Sequence, residues 1–201
     1  MKNNKSIDVV FILDKSGSMQ HITKDTIEGF NEMLNKQREY NAKVTTVLFN
    51  NIPNELYFRK NIDSVNNLTA KDYNCGGCTA LYDAIGYTIE KLDKEDIKNR
   101  VLFIITTDGL ENASLDYNRK QIFDLINKHR DWEFLYLGAD IDVFEESSNI
   151  GIKRKNSASY SKSNGGIKRL FSAFSECIDE VYYSNENDID FKLEDKLKET
   201  K

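Results

Sequence analysis

The chain has 201 residues, 39% of them hydrophobic and 30% charged, with a formal net charge of −5. That composition fits one folded domain with a real core and argues against a general nucleic-acid binder, which needs a basic footprint. No apolar run reaches the roughly 18 residues of a membrane span, and the polar opening MKNNKSID lacks the apolar centre of a secretory signal. Three cysteines are too few for a disulfide framework, so a reducing, cytoplasmic setting is expected.

The first element is the apolar run Ile7–Leu13, read as a buried strand. It ends in Asp14, Ser16, Gly17 and Ser18. Residues Ile22 to Tyr40 carry apolar side chains at helical spacing, with Thr23 or Asp25 as the expected cap. Gly29 is expected where that helix packs close to the sheet. Lys43–Asn50 is β-branched and reads as a strand. Asn51–Asn54 holds the only proline, Pro53, and reads as a turn. Glu55–Lys60 then follows so closely that the two strands must form an antiparallel hairpin, with the second at a sheet edge.

Residues 61–79 form a connector ending in YNCGGCT. The next helix, Ala80–Leu92, is amphipathic. Val101–Thr106 is the most apolar strand, expected at the centre of the sheet and covered on both faces. It runs into Thr107, Asp108 and Gly109. A helix over Asn118–Arg130, a strand over Glu133–Leu137 and a short helix over Asp142–Asn149 follow, and Asp140 and Asp142 read as N-caps. Residues 152–166 are polar, with one short strand expected near Ala158–Tyr160. A long helix covers Ile167–Tyr183. Residues 1–183 are thus expected to form the domain. Residues 184–201, dense in both charge signs, are expected to be a solvated helix or frayed end.

Strands alternating with helices indicate an α/β fold: a doubly wound, Rossmann-like, three-layer sandwich with a mostly parallel sheet and one antiparallel edge strand. In such sheets, sites lie beyond the carboxyl ends of the strands, where strand order reverses. Asp14 and Asp108 both end strands. An extended backbone would put Asp14, Ser16 and Ser18 on one side, with Gly17 allowing the loop to bend. A carboxylate and two hydroxyls converging there suit a hard, oxygen-preferring cation, Mg²⁺ above all.

Three pieces, Asp14-x-Ser16-x-Ser18, a distant Thr79 and a distant Asp108, occur in that order. Together they resemble the von Willebrand factor type A domain and its metal-ion-dependent adhesion site. The segments GGCTALYDAIG (76–86), TTDGLENAS (106–114) and YLGADIDVFEESSNIGI (136–152) look like those of small single-domain bacterial and phage members. The resemblance implies that Ser16 and Ser18 bind the ion through hydroxyls. Thr79, Asp14 and Asp108 would bind directly or through water. It further implies Mg²⁺, with Mn²⁺ or Ca²⁺ as alternatives, and a protein partner whose Asp or Glu side chain completes the coordination. No nucleophile or base stands out, so a binding module rather than an enzyme is expected.

Two rival readings attach to other residues. The strand-end Asp14 invites comparison with metal-dependent phosphoester hydrolases, although Ser16 stands where a second acid would be wanted. Cys75-Gly-Gly-Cys78 reads as a redox couple, half a zinc site, or two small residues packed in a Gly-rich loop, the last being favoured. Glu111 and Asn112 either line the ligand face or serve the turn. Lys15 is expected to face solvent, His129 to pack or to serve a helix end, and Trp132 to pack in the core.

Overall fold

The computed structural model describes residues 5–186 and 188–198. Six strands form one sheet in the order β3-β2-β1-β4-β5-β6. They are β1 (Ile7–Asp14), β2 (Ala42–Phe49), β3 (Pro53–Asn61), β4 (Arg100–Thr107), β5 (Glu133–Gly138) and β6 (Ser157–Ser159). All neighbouring pairs are parallel except β2–β3. The α/β sandwich with one antiparallel edge, expected from the alternation of elements, is what the chain forms.

Both central strands are buried along their length, save for Arg100 at the start of β4, which explains their unbroken apolar runs. In β1, Val9, Phe11 and Leu13 enter one core, while Val10 and Ile12 enter the other. The first core is closed by α1 (Thr23–Gln37) and α5 (Asn164–Tyr183), through Phe30, Phe171 and Phe174. The second is closed by α2 (Leu81–Leu92), α3 (Arg119–Lys128) and α4 (Val143–Asn149).

Several expectations change in detail. A 3₁₀ helix, Gly17–Ile22, leads straight into α1, so neither Thr23 nor Asp25 caps it. The Thr23 hydroxyl instead bonds back to the Gln20 carbonyl at 3.0 Å. Gly29 does pack closely, but against α5 rather than the sheet: a Cβ there would lie 2.4 Å from the Phe171 ring. Pro53 starts β3 rather than sitting in the turn. An edge strand tolerates proline because its outward amide has no partner to lose.

Asp142 caps α4 by accepting from the Glu145 amide at 3.1 Å. Asp140 does not cap. It adopts φ +58 and pairs with Lys162 instead. Trp132 is only half-buried and stacks on His129, their ring centres 3.9 Å apart.

The segment after Ser184 does not stay in solvent. Phe191 and Leu193 are buried in the first core, and a short helix, α6 (Leu193–Leu197), follows. Residues 187 and 199–201 of that segment lie outside the described residues. Among the described residues, no helix is long and apolar enough to cross a membrane.

Candidate functional site

The chain leaves β1 for β2 on one side and reaches β4 on the other, so strand order reverses between β1 and β4. These two strands run in register, with Leu13 opposite Thr106. Asp14 and Asp108 therefore emerge side by side at the carboxyl edge, where an open α/β sheet leaves a crevice.

Asp14 is fully buried. One of its oxygens accepts from the Ser16 amide at 2.7 Å, and the other accepts from the Thr107 hydroxyl at 2.7 Å. The Ser16 and Ser18 hydroxyls are 3.1 Å apart. Ser18 donates to Asp108 Oδ1 at 2.5 Å. Asp14, Ser16, Ser18 and Asp108 thus form one continuous polar string. The reason differs from the expected alternation along an extended chain. Ser16 is the last extended residue, and Ser18 already lies in the 3₁₀ helix that begins at Gly17. The tight turn brings the hydroxyls together.

A second loop is fastened beneath the first. The Gly17 amide donates to the Gly77 carbonyl (3.1 Å), and the Gly76 amide to the Lys15 carbonyl (2.9 Å). The Tyr73 hydroxyl donates to the Asp14 carbonyl. Asn50 and Asn51, at the end of the β2 hairpin, hold the loop from the other side. Asn50 donates to the Gly76 carbonyl at 2.8 Å, and Asn51 accepts from the Cys78 amide at 2.6 Å. The glycine that geometry requires is Gly77 rather than Gly17. Gly77 has φ +81, and a Cβ there would lie 2.1 Å from Asn51 Oδ1, whereas a Cβ at Gly17 makes only ordinary contacts.

Thr79 follows this loop and is buried. Asn112 clamps its backbone on both sides, through Thr79 N to Asn112 Oδ1 (2.9 Å) and Asn112 N to Thr79 O (3.0 Å). The Thr79 hydroxyl lies against the turn after Asp108: it is 3.2 Å from where a Cβ on Gly109 would stand. All five residues singled out in the sequence therefore meet at one edge.

Glu111 serves the turn. Its carboxylate accepts from the amides of Ala113, Ser114 and Tyr82, fixing the post-β4 loop to the start of α2. Asp83 does the same work from the helix side, accepting from the amides of Leu115, Asp116 and Tyr117.

Lys162 is the member that sequence reasoning missed. Its Nζ lies 3.1 Å from Asp108 Oδ2 and 2.5 Å from Asp140 Oδ2. Partial burial works against its charge, but the two carboxylates outweigh this and raise its pKa. Asp14 has a raised pKa, chiefly from burial, with the Asp108 charge adding to it and the bonds from Thr107 and Ser16 opposing it. Thr107 was also passed over, although its place beside Asp108 at a strand end was a usable signal.

As a donor set, two carboxylates and three hydroxyls offer only hard oxygen. That suits Mg²⁺, Mn²⁺ or Ca²⁺ better than a thiolate-preferring ion. Asp14 has both oxygens engaged and is not poised as a free nucleophile. The cysteines are free: Cys78 is exposed, Cys75 half-buried and Cys177 buried. Burial raises the Cys75 pKa, the direction opposite to that of a reactive thiolate.

The sequence matches the family model of the von Willebrand factor type A domain over residues 8–172. No curated protein matches it. Among solved structures, it is similar to the pilus adhesin SpaC from Lactobacillus rhamnosus GG, at 12% identity and a TM-score of 0.72, over 90% of this chain and 31% of that one. It is similar to the ArnB paralog VWA2 from Sulfolobus acidocaldarius, at 17% identity and a TM-score of 0.61, over 86% and 45%. It is also similar to proximal thread matrix protein 1 from the mussel byssus, solved with a zinc-occupied MIDAS motif, at 14% identity and a TM-score of 0.59, over 87% and 48%. The chain thus spans less than half the length of each of these three proteins.

Proposed function

Since the chain belongs to the von Willebrand factor type A domain family, we propose that it is a protein-binding module that works through a divalent cation. Asp14, Ser16, Ser18, Thr79 and Asp108 would hold the ion. One observation carries this reading: the polar string from Asp14 through both serines to Asp108, with the Thr79 hydroxyl against the same turn.

Two carboxylates neutralise a divalent ion and leave no surplus negative charge. When bound, the ion supplies an electrophilic centre with an exchangeable position, and Mg²⁺ keeps waters there readily. An Asp or Glu side chain of a partner is the matching ligand. The chain's own part is to hold the oxygens in place: Thr107 and Ser16 orient Asp14, Asn112 orients Thr79, and the 75–78 loop props the serines. Binding rather than catalysis is the role these groups serve. Mg²⁺ is the favoured ion, with Mn²⁺ or Ca²⁺ as substitutes. Three free thiols support a reducing, cytoplasmic setting, and the sequence likeness to small bacterial and phage members supports that source.

The test is a pull-down with wild type and Asp14→Ala, each with Mg²⁺ and with EDTA. The expected result is a partner retained only by wild type in Mg²⁺. A partner retained equally in EDTA would overturn the proposal.

A further inference from the structure

The Lys162 side chain belongs to neither strand that carries the site, yet the fold brings it there firmly. Tyr160 donates its amide to the Gly138 carbonyl at 2.9 Å, extending the β5–β6 pairing one residue past β6. Ser163 then caps α5, accepting from the Gly166 amide at 3.1 Å. Lys162 sits between these two fixed points. Its second carboxylate is fixed as well. Asp140 has a left-handed backbone, and Ala139 before it donates to the Thr107 carbonyl at 3.1 Å. The two carboxylates differ in setting: the Asp108 side chain is fully buried and that of Asp140 is 68% exposed. The ammonium therefore bridges the interior of the site and its rim.

We propose that Lys162 is a built-in cation that competes with the divalent ion for Asp108 and, shifted onto Asp140, offers its charge to an incoming carboxylate. This rests on the cation-site reading above. Asp140 Oδ2 is already within 2.5 Å, so the ammonium keeps a partner when it yields Asp108. The charges then act in opposite senses. Three carboxylates and one ammonium leave two negative charges at the edge, which a divalent ion cancels. Without the ammonium the edge holds the ion more strongly, but the loaded site still carries a negative charge and repels an anion. Lys162 thus weakens metal binding and strengthens partner binding. A lysine that only braced the fold would shift neither in this paired way.

The experiment titrates Mn²⁺ into wild type, Lys162→Met, Lys162→Arg and Asp140→Asn, with free ion followed by electron paramagnetic resonance. Metal-free melting curves check folding. Acetate is then titrated into the Mn²⁺-loaded proteins, with water-proton relaxation as the readout. Lys162→Met should bind Mn²⁺ about tenfold tighter, equivalent to about 1.4 kcal/mol, and acetate more weakly. Lys162→Arg should stay near wild type. Asp140→Asn, a change at an exposed side chain, should bind Mn²⁺ more weakly, because the ammonium then has only Asp108. If wild type binds Mn²⁺ and neither Lys162→Met nor Asp140→Asn shifts in these directions, the competition is overturned while the site stands. If neither wild type nor Lys162→Met binds Mn²⁺, both proposals fall. Should Lys162→Met lose its melting transition, Lys162→Gln takes its place in the same titrations, with the same tighter Mn²⁺ binding expected and unchanged affinity overturning the competition.

Discussion

Single residues at this edge divide into those that offer oxygen and those that aim it, and each kind responds differently to change. The thiols give one direct check. Cys177 is buried, and burial pushes its pKa far above the ordinary value, while Cys78 is exposed. A thiol reagent should modify Cys78 first, Cys75 more slowly and Cys177 only on unfolding, as peptide mapping over time would reveal. A native protein in which Cys177 reacts as fast as Cys78 would contradict this burial order. His129 gives a pH check. It stacks on Trp132, and burial lowers its pKa despite Asp93 nearby. A folded-state pKa below the unfolded value of about 6.5 means that the unfolded chain takes up the proton first. This contribution to stability is intact above about pH 6.5 and is lost as pH falls through the lower folded value. Denaturant melts of His129→Gln should lose less stability between pH 7 and about 5.5 than those of wild type. Residue by residue, the meeting of the candidate oxygens at one edge was readable where each lies at or just beyond a strand end or just before a helix, as Asp14, Asp108 and Thr79 do. Lys162 gave no such mark. Its meeting with Asp108, 54 residues away, is made by β6 pairing onto β5 and by the start of α5 just after it.

At the scale of elements, the central strands were legible because burial on both faces writes a continuous apolar run. The edges were not. β6 has three residues, too short for its pattern to show which strand it joins. The segment after Ser184 hides two buried side chains, Phe191 and Leu193, among many charges. Phe191→Ala should therefore destabilise the fold by roughly 3–5 kcal/mol, measured by chemical denaturation. A change under about 1 kcal/mol would mean the segment is not docked. The loop between Tyr73 and Thr79 makes a paired prediction from two adjacent glycines. Gly77 has φ +81 and no room for a Cβ, whereas a Cβ on Gly76 meets nothing within 4 Å. Gly77→Ala should lose about 1–3 kcal/mol and blunt the response to Mg²⁺, because the loop props Gly17 and leads into Thr79. Gly76→Ala should stay within about 0.5 kcal/mol of wild type. Equal melts for the two variants would show that the prop is not needed.

For the whole molecule, an ion that binds only the folded chain must stabilise it. At about 100 times its Kd the gain is roughly 2.7 kcal/mol, or about 5–10 °C in Tm for a domain of this size. Mn²⁺ or Mg²⁺ should raise the Tm of wild type by this order and leave Asp14→Ala unmoved in differential scanning calorimetry. Equal shifts in both would place the ion elsewhere.

The carboxyl edge is assembled from residues 14–18, 77–79, 107–109 and 162, joined by contacts such as Ser18 to Asp108 and Asp108 to Lys162. Synthesis runs from one end, so the serines exist long before the lysine that will face them. Contacts this distant in sequence close last and slowly. A chain stopped before residue 162 would have the strand-end and loop oxygens in its sequence but no α5, whose Phe171 and Phe174 close the first core. The edge therefore forms only when the last long helix docks, and a truncation before residue 162 should lose the cooperative melting transition together with any response to Mn²⁺.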